Sequence, residues 1–270
     1  MPTCRPDPLA RCPADALRGV TGVLTDIDDT LTAEGAIVPQ ALHALARLRQ
    51  AGVRVIAITG RPMGWSEPFA RDWPIDAIVA ENGAVALFAE AGRLQIEYVQ
   101  DETTRARNAQ RLAQAAARVL REVPGATLAR DSPGRVTDIA VDHSEFAHLS
   151  PVQIEQVVEL MQADGMNATV SSIHINGWFG THDKLSGARW IVQRRLGADV
   201  DVQLDLWAYV GDSTNDQLMF AHFPLSVGVA NLLRFADELR VWPAYLTQGE
   251  RGLGFAEFAD ALLAVRVPRA

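Results

Sequence analysis

The sequence predicts an α/β fold: a doubly wound, Rossmann-like parallel sheet core with a second, α+β domain inserted into it. Two observations carry this prediction. Continuous apolar stretches alternate with helix-like stretches near both ends of the chain, as in parallel sheets covered by helices on both faces. Between about residues 90 and 182 the order becomes strand, helix, strand, strand, helix, strand, which is typical of a small α+β domain.

Size and charge narrow the classes of function. A chain of 270 residues with 48% hydrophobic content can bury two cores. The net charge of −8, without a block of Lys and Arg, argues against nucleic acid or an anionic membrane as the main partner. A small anionic substrate stays possible, because a bound metal can reverse the local charge. The sequence leaves monomer and homodimer equally open.

The first 18 residues are rich in proline and predict a loosely ordered N-terminal arm. The two cysteines, Cys4 and Cys12, are too few and too near the end of the chain for a disulfide framework or a zinc site. No apolar region here has the length of a signal peptide, and no stretch elsewhere approaches about 18 uninterrupted apolar residues. We therefore expect a protein of the reducing cytoplasm.

The first part of the core is predicted to alternate strand and helix. "GVTGVLT", "VRVIAIT" and "IDAIVAENGA" read as buried strands, and the last ends in a glycine turn. "VPQALHALARLRQAG" predicts a helix with Pro39 near its start and Gly52 past its end. "WSEPFARDWP" predicts a second, shorter helix.

The inserted domain is predicted over residues 90–182, as a cap between two parts of the core at 19–89 and 183–270. Its expected elements are a strand "RLQIEYV", a helix 102–122, a hairpin of "ATLAR" and "RVTDIAVD", a helix 151–163 and a strand "NATVSSIHIN". The core then resumes with "KLSGARWIVQRRLG", "LWAYV", a helix 214–221, "LSVGVA" and a helix 254–265.

Carboxylates crowd the ends of two predicted strands. "VLTDIDDTLT" places Asp26, Asp28 and Asp29 after the first strand, and "GDSTND" places Asp212 and Asp216 after a later one. Because ligands bind at the carboxyl ends of parallel strands, the two clusters can form one site. Like charges repel unless a cation lies among them, and hard oxygen ligands favour Mg²⁺. Taken alone, such residues are more often turn or cap residues.

These residues belong to a recognisable set. "DIDDT", Thr59 in "IAITG", Lys184 in "HDKLSG" and "GDSTND" resemble the four ordered motifs of the haloacid dehalogenase superfamily, whose members are mostly phosphatases. The position and type of the inserted domain resemble subfamily IIB, the Cof-like sugar-phosphate phosphatases with an α/β cap. The sequence departs from the family at Asp29, where many relatives have glycine.

The resemblance implies a Mg²⁺-dependent phosphoric monoester hydrolase. Asp26 would be the nucleophile that forms an aspartyl-phosphate, and Asp28 would be the general acid and base. Thr59 and Lys184 would stabilise the transferring phosphoryl group. The implied metal ligands are Asp26, the backbone carbonyl of Asp28, and Asp212, supported by Asn215 and Asp216.

Recognition of the leaving group is less sharply indicated. The candidate substrate-binding residues are Thr30, Arg61, Asn82, Arg135, His174 and Asn176. Each has an ordinary alternative; His174 on a strand, for example, is more often a packed histidine. The function predicted is hydrolysis of a phosphorylated sugar or glycosyl derivative. Two alternatives stay open: a phosphosugar mutase of the phosphomannomutase type, although "GDSTND" lacks the longer insertion of that group, and a non-catalytic phosphosugar-binding protein.

Overall fold

A computed structural model describes residues 5–266 of the chain. Within that range the helices are α1 (Ala14–Arg18), α2 (Pro39–Gln50), α3 (Met63–Asp72), α4 (Glu102–Glu122), α5 (Pro151–Ala163), α6 (Lys184–Leu196), α7 (Gln217–His222) and α8 (Arg251–Ala264). The strands are β1 (Asp7–Pro8), β2 (Gly22–Thr25), β3 (Thr32–Ala33), β4 (Ala36–Ile37), β5 (Arg54–Ile58), β6 (Ala77–Ala80), β7 (Val85–Glu90), β8 (Arg93–Tyr98), β9 (Thr127–Leu128), β10 (Asp138–Asp142), β11 (Asn167–Val170), β12 (His174–Trp178), β13 (Trp207–Gly211), β14 (Leu225–Gly228) and β15 (Tyr245–Leu246).

The main sheet confirms the predicted doubly wound core. Its nine strands lie in the order β1-β15-β14-β13-β2-β5-β6-β7-β8, and β13, β2, β5 and β6 are parallel neighbours. Both faces are covered: Val23 of β2 packs in a cluster with residues of α2 and α8, whereas its neighbour Leu24 packs with residues of α6 and α7. Successive residues of a strand point to opposite faces, which explains why the adjacent residues Val23 and Leu24 are both apolar.

A second, antiparallel sheet lies in the inserted part of the chain, with the strand order β11-β12-β10-β9. Apolar residues of α4 and α5 pack on it, and they form a separate core cluster. Both helices have the predicted bounds. Asp101 caps α4, and Ser150 forms a capping box with Gln153 at the start of α5, directly before Pro151.

Two strand predictions in this region are wrong. "RLQIEYV" was expected in the inserted domain, but β8 pairs antiparallel with β7 in the main sheet, and Leu94 and Tyr98 pack against its core. "NATVSSIHIN" was expected as one strand, but it forms β11 and β12, which pair with each other. Ser171 closes the turn between them, since its Oγ accepts from the backbone N–H of His174 at 3.1 Å. The division into core and cap remains a proposal, with β8 assigned to the core sheet.

The prediction of a loose N-terminal arm is wrong for the described part of that segment. β1 pairs with β15 at the edge of the main sheet, and Leu9 and Leu17 are buried in the core. The apolar side chains therefore anchor the arm. Cys12 is half-buried, and burial raises the pKa of its thiol; Cys4 lies outside the described residues. Within residues 5–266, no helix is both long and apolar enough to span a bilayer.

Candidate active site

The first acidic loop follows β2 directly. The backbone N–H of Asp26 donates to the carbonyl of Val210 at 2.9 Å and thereby continues the pairing of β2 with β13. A tight turn then closes, because the backbone N–H groups of Thr30, Leu31 and Thr32 all donate to the carbonyl of Ile27. The turn leaves the carboxylate of Asp26 buried at the strand end.

The site contains one buried ammonium group among carboxylates. Lys184 is the only lysine in the sequence and the first residue of α6. Its Nζ lies 2.7 Å from Oδ1 of Asp26, 2.6 Å from Oδ1 of Asp216 and 3.2 Å from Oδ1 of Asn215. Burial would lower the pKa of Lys184, but the adjacent carboxylates outweigh it and hold the pKa above its usual value. Lys184 therefore stays charged.

Asp216 holds the second acidic loop in shape. Its Oδ1 accepts from Lys184 and, at 2.5 Å, from the hydroxyl of Tyr209; its Oδ2 accepts from the backbone N–H groups of Asp212 and Ser213. Burial, together with the charge of Asp216, raises the pKa of Tyr209 well above its ordinary value, so the hydroxyl keeps its proton. These hydrogen bonds orient Asp216 and fix the loop that carries Asp212.

Asp212 is held by two further residues. Thr30 Oγ1 lies 3.5 Å from its Oδ1, and Asn231 Nδ2 donates to its Oδ2 at 3.1 Å. Burial raises the pKa of Asp212 well above its ordinary value, and the charges of Asp26 and Asp216 raise it further.

Three carboxylates are close enough to share a cation. Oxygen atoms of Asp26, Asp212 and Asp216 all lie within 4.8 Å of one another, and all three residues are buried. The pKa of Asp26 is raised to about 8, because burial and the charges of Asp216 and Asp28 together outweigh the opposing effect of Lys184. One ammonium group therefore does not balance the cluster, and a divalent cation would.

The carboxylate of Asp28 pairs with Arg61. The Nε of Arg61 donates to both carboxylate oxygens of Asp28, at 2.9 and 3.1 Å. The same guanidinium donates to Asp131 at 3.1 Å and to Glu145 at 2.9 Å. Asp131 and Glu145 belong to the inserted part of the chain, so Arg61 joins the core loop of Asp28 to the cap.

A polar cleft of about 470 Å³ opens beside Asp28, between core and cap. Glu145 lines it, and His174 Nε2 lies 2.9 Å from Oε2 of Glu145. Burial would raise the pKa of Glu145, but the hydrogen bonds from His174 and Arg61 outweigh it and lower the pKa to about 2. Glu145 is therefore ionised in the neutral range of pH.

Known proteins resemble this chain in part of its sequence and in its fold. Residues 23–115 match a family model described as haloacid dehalogenase-like hydrolase. No curated protein matches the sequence.

Solved structures share the fold over most of the chain. A Thermoplasma acidophilum protein has a TM-score of 0.68 at 14% identity, over 90% of this chain and 98% of that one. The sucrose-phosphatase of Synechocystis sp. PCC6803, solved with sucrose and phosphate, has a TM-score of 0.63 at 17% sequence identity, over 91% of this chain and 98% of that one. A subclass IIB sugar phosphatase of the haloacid dehalogenase superfamily has a TM-score of 0.63 at 15% sequence identity, over 91% of this chain and 100% of that one.

The structure brings residues of the four sequence motifs together at one edge of the main sheet. Asp212, Asp26 and Thr59 follow the neighbouring strands β13, β2 and β5. Thr59 Oγ1 accepts from the backbone N–H of Arg61 at 3.0 Å, which leaves its hydroxyl proton available for another acceptor. Asn215 accepts from Lys184 and from the hydroxyl of Ser213.

Four of the six predicted substrate-binding residues lie at the boundary between the core and the inserted part of the chain. His174, Asn176 and Arg61 line a small space beside Asp26 and Asp28. Arg135 is instead engaged at the junction of core and cap, where it contacts Asp131, Asp138 and the carbonyl of Gly60. Asn176 also donates to the carbonyl of Gly60, at 3.2 Å.

Two other predicted residues are deeply buried. Thr30 supports Asp212, as described above. Asn82 has a backbone φ of 55°, and its Nδ2 has no hydrogen-bond partner within residues 5–266. The neighbouring Glu81 accepts from the backbone N–H groups of Val136 and Thr137, so this loop also joins core and cap.

The sequence motifs did not identify Tyr209, Asn231 or Glu145 as residues of the site. Tyr209 lies in an apolar strand and reads as a core residue; only its place three residues before Asp212 hints at a role. Asn231 and Glu145 lie outside the four motifs and meet the site only through the tertiary fold.

Proposed function

We propose that this chain is a Mg²⁺-dependent phosphatase that hydrolyses a small phosphorylated sugar or glycosyl derivative through an aspartyl-phosphate. The observation that carries the proposal is the buried carboxylate of Asp26 at the strand end, 2.7 Å from Lys184 and beside Asp212 and Asp216. Binding alone requires no such buried nucleophile beside an ammonium group. The sugar phosphatases among the structural neighbours support the substrate class.

The residues present fit a magnesium ion. The three clustered carboxylates supply hard oxygen ligands, and their mutual repulsion favours a bound cation. Asp26 and Asp212 would hold the ion with the backbone carbonyl of Asp28. Both oxygens of Asp216 already accept hydrogen bonds, so Asp216 and Asn215 would act as supports. When bound, magnesium would neutralise negative charge on the phosphoryl group.

Asp26 performs the first step in this proposal. Its carboxylate oxygen attacks phosphorus as the bond to the leaving oxygen breaks, which gives an aspartyl-phosphate and the alcohol. Lys184 reduces the charge repulsion between Asp26 and the phosphoryl group, and Thr59 donates its hydroxyl proton to a phosphoryl oxygen.

Asp28 transfers the protons. In its acid form it protonates the leaving oxygen, and as a carboxylate it then takes a proton from the water that hydrolyses the aspartyl-phosphate. Arg61 fixes the orientation of Asp28 through both carboxylate oxygens. The cap residues that hold the same guanidinium limit the access of bulk water.

Phosphate release from a panel of sugar phosphates and glycosyl phosphates, with Mg²⁺ and with EDTA, tests the proposal. We expect metal-dependent turnover that Asp26→Asn lacks and that Asp237→Asn, at an exposed aspartate, retains. Turnover that survives in Asp26→Asn would contradict the nucleophile assignment. Activity that appears only with a bisphosphorylated activator would indicate a mutase. If the folded protein releases phosphate from none of the substrates, a non-catalytic binding protein would be indicated.

A further inference from the structure

Asp29 and Arg251 hold unusual backbone conformations beside the cleft. The backbone φ is 54° at Asp29 and 55° at Arg251, in the left-handed region that favours glycine. Their side chains form an ion pair, with Arg251 Nε 2.9 Å from Oδ1 of Asp29, and both line the cleft next to Asp28. A glycine at position 29 would adopt the same backbone conformation without strain.

A buried asparagine holds the two strained residues together. Asn231 Nδ2 donates to the backbone carbonyl of Asp29 at 3.0 Å, and the backbone N–H of Arg251 donates to Asn231 Oδ1 at 2.7 Å. The fold therefore fixes the pair at the floor of the cleft. Strained residues held by their surroundings are concentrated at functional sites.

Polar groups of the inserted part of the chain also line the cleft. Glu145, already paired with His174, lines it together with Ser144 and Ser172. The Oγ of Ser144 donates to the carbonyl of Ser172 at 2.7 Å, and the side chain of Ser172 hydrogen-bonds to Asp29. The hydroxyl oxygens and the remaining carboxylate lone pairs can accept from the hydroxyl groups of a ligand.

The ionised groups of the cleft are largely paired with one another. Asp28 and Glu145 face Arg61, and Asp29 faces Arg251. Arg234 faces Glu250 at 3.3 Å, and Glu34 is exposed at the rim. An anionic group on the leaving group would have to displace one of these partners, whereas a neutral hydroxyl group can use the donors and acceptors that remain.

We propose that Asp29 is a specificity-determining residue that, with Arg251, binds hydroxyl groups of an uncharged, polyhydroxylated leaving group. This inference rests on the proposed phosphatase function. Asp29 accepts from a ligand hydroxyl, and Arg251 donates to one with an N–H that its ion pair leaves free. The preferred substrates are then phosphate monoesters of neutral sugars or glycosides, rather than esters whose leaving group carries a carboxylate or a second phosphate.

The test compares matched substrates in Asp29→Gly and Asp29→Asn. Each sugar phosphate is compared with the corresponding aldonic acid phosphate. p-Nitrophenyl phosphate serves as a reference substrate, because its leaving group has no sugar hydroxyl groups. Asp29→Gly relieves the backbone strain, so loss of folding is not expected. Ala91→Gly is the matched control, since Ala91 has a φ of 50° in an exposed turn away from the cleft.

For the wild type we expect kcat/KM to be at least tenfold higher for the neutral sugar phosphate than for its acid counterpart. In Asp29→Gly, kcat/KM for the neutral ester should fall at least tenfold more than kcat/KM for p-nitrophenyl phosphate. In Asp29→Asn, kcat/KM for the neutral ester should also fall more than kcat/KM for p-nitrophenyl phosphate. Ala91→Gly should match the wild type.

Four outcomes would overturn the inference. Equal losses on sugar and p-nitrophenyl esters would show that Asp29 only shapes the loop, and no loss would show that it has no part in specificity. A wild-type preference for the acid esters would contradict the neutral leaving group. Absence of turnover with every ester would contradict the proposed function itself, and the inference with it.

Discussion

The Nζ atom of Lys184 lies 2.7 Å from Oδ1 of Asp26, and both side chains are buried. Every other basic residue among the 25 of Lys and Arg is an arginine, so the one lysine lies at the candidate nucleophile. A compact ammonium fits among Asp26, Asn215 and Asp216, where a planar guanidinium would need more room. Substitutions at position 184 can therefore separate the effect of the positive charge from the effect of the shape of the cation.

Replacing Lys184 should affect both stability and turnover. Lys184→Met leaves buried carboxylates without their cation, and we expect the free energy of unfolding to fall by about 3 to 5 kcal/mol. Urea denaturation with and without Mg²⁺ measures this, and Mg²⁺ should restore part of the loss. Lys184→Arg keeps the charge but should reduce kcat by about a hundredfold or more, because the phosphoryl group loses a correctly placed donor. Near wild-type kcat in Lys184→Arg would contradict the geometric argument.

The hydroxyl of Tyr209 should contribute through Asp216. Tyr209→Phe removes the donor that lies 2.5 Å from Oδ1 of Asp216, deep in the core. We expect a loss of about 1 to 3 kcal/mol in the free energy of unfolding and a smaller affinity for Mg²⁺, since Asp216 supports the loop of Asp212. Calorimetry and Mg²⁺ titration measure these effects. Tyr98→Phe, at a half-buried tyrosine, is the control; equal effects in both variants would refute a role for the Asp216 contact.

Arg61 should link the cap to Asp28, the proposed general acid and base. Arg61→Met frees Asp28 from its bidentate partner and removes the contacts to Asp131 and Glu145. We expect kcat to fall at least tenfold and cap residues to exchange their amide hydrogens faster. Arg71→Met removes an exposed pair with Glu67 and should change neither quantity. Unchanged exchange in the cap of Arg61→Met would refute the link.

His182 should make stability depend on pH. Burial lowers its pKa to about 4, below the ordinary value of 6.5. Between these values the unfolded chain binds a proton that the folded chain does not, so stability falls as the pH is lowered from about 7 toward 4. Denaturation of wild type and His182→Phe between pH 7.5 and 5 measures the difference, and the variant should show a shallower decline. His43→Gln, at an exposed histidine, should follow the wild type.

The core and its motifs were predictable because they depend on local sequence. Strand ends followed by carboxylates identify Asp26 and Asp212, and the parallel sheet brings them together. The bounds of α4 and α5 followed from Asp101, Ser150 and Pro151 at their starts.

Features that depend on distant partners were not predictable. β8 has ordinary strand character, and only its pairing with β7 assigns it to the main sheet. Glu145 lies in a loop without a motif, and its role follows from Arg61 and His174. The motifs assign no role to Asp29, and only its tertiary contacts with Arg251 and Asn231 place it at the cleft.

Trapping the aspartyl-phosphate tests the central claim most directly. Protein mixed with a radiolabelled phosphate ester that has a good leaving group, and quenched in acid, should carry the label on the peptide that contains Asp26. Asp26→Asn should carry none, and Asp28→Asn should accumulate label because hydrolysis of the intermediate loses its base. Steady turnover without any labelled protein, or label on a different residue, would contradict the account.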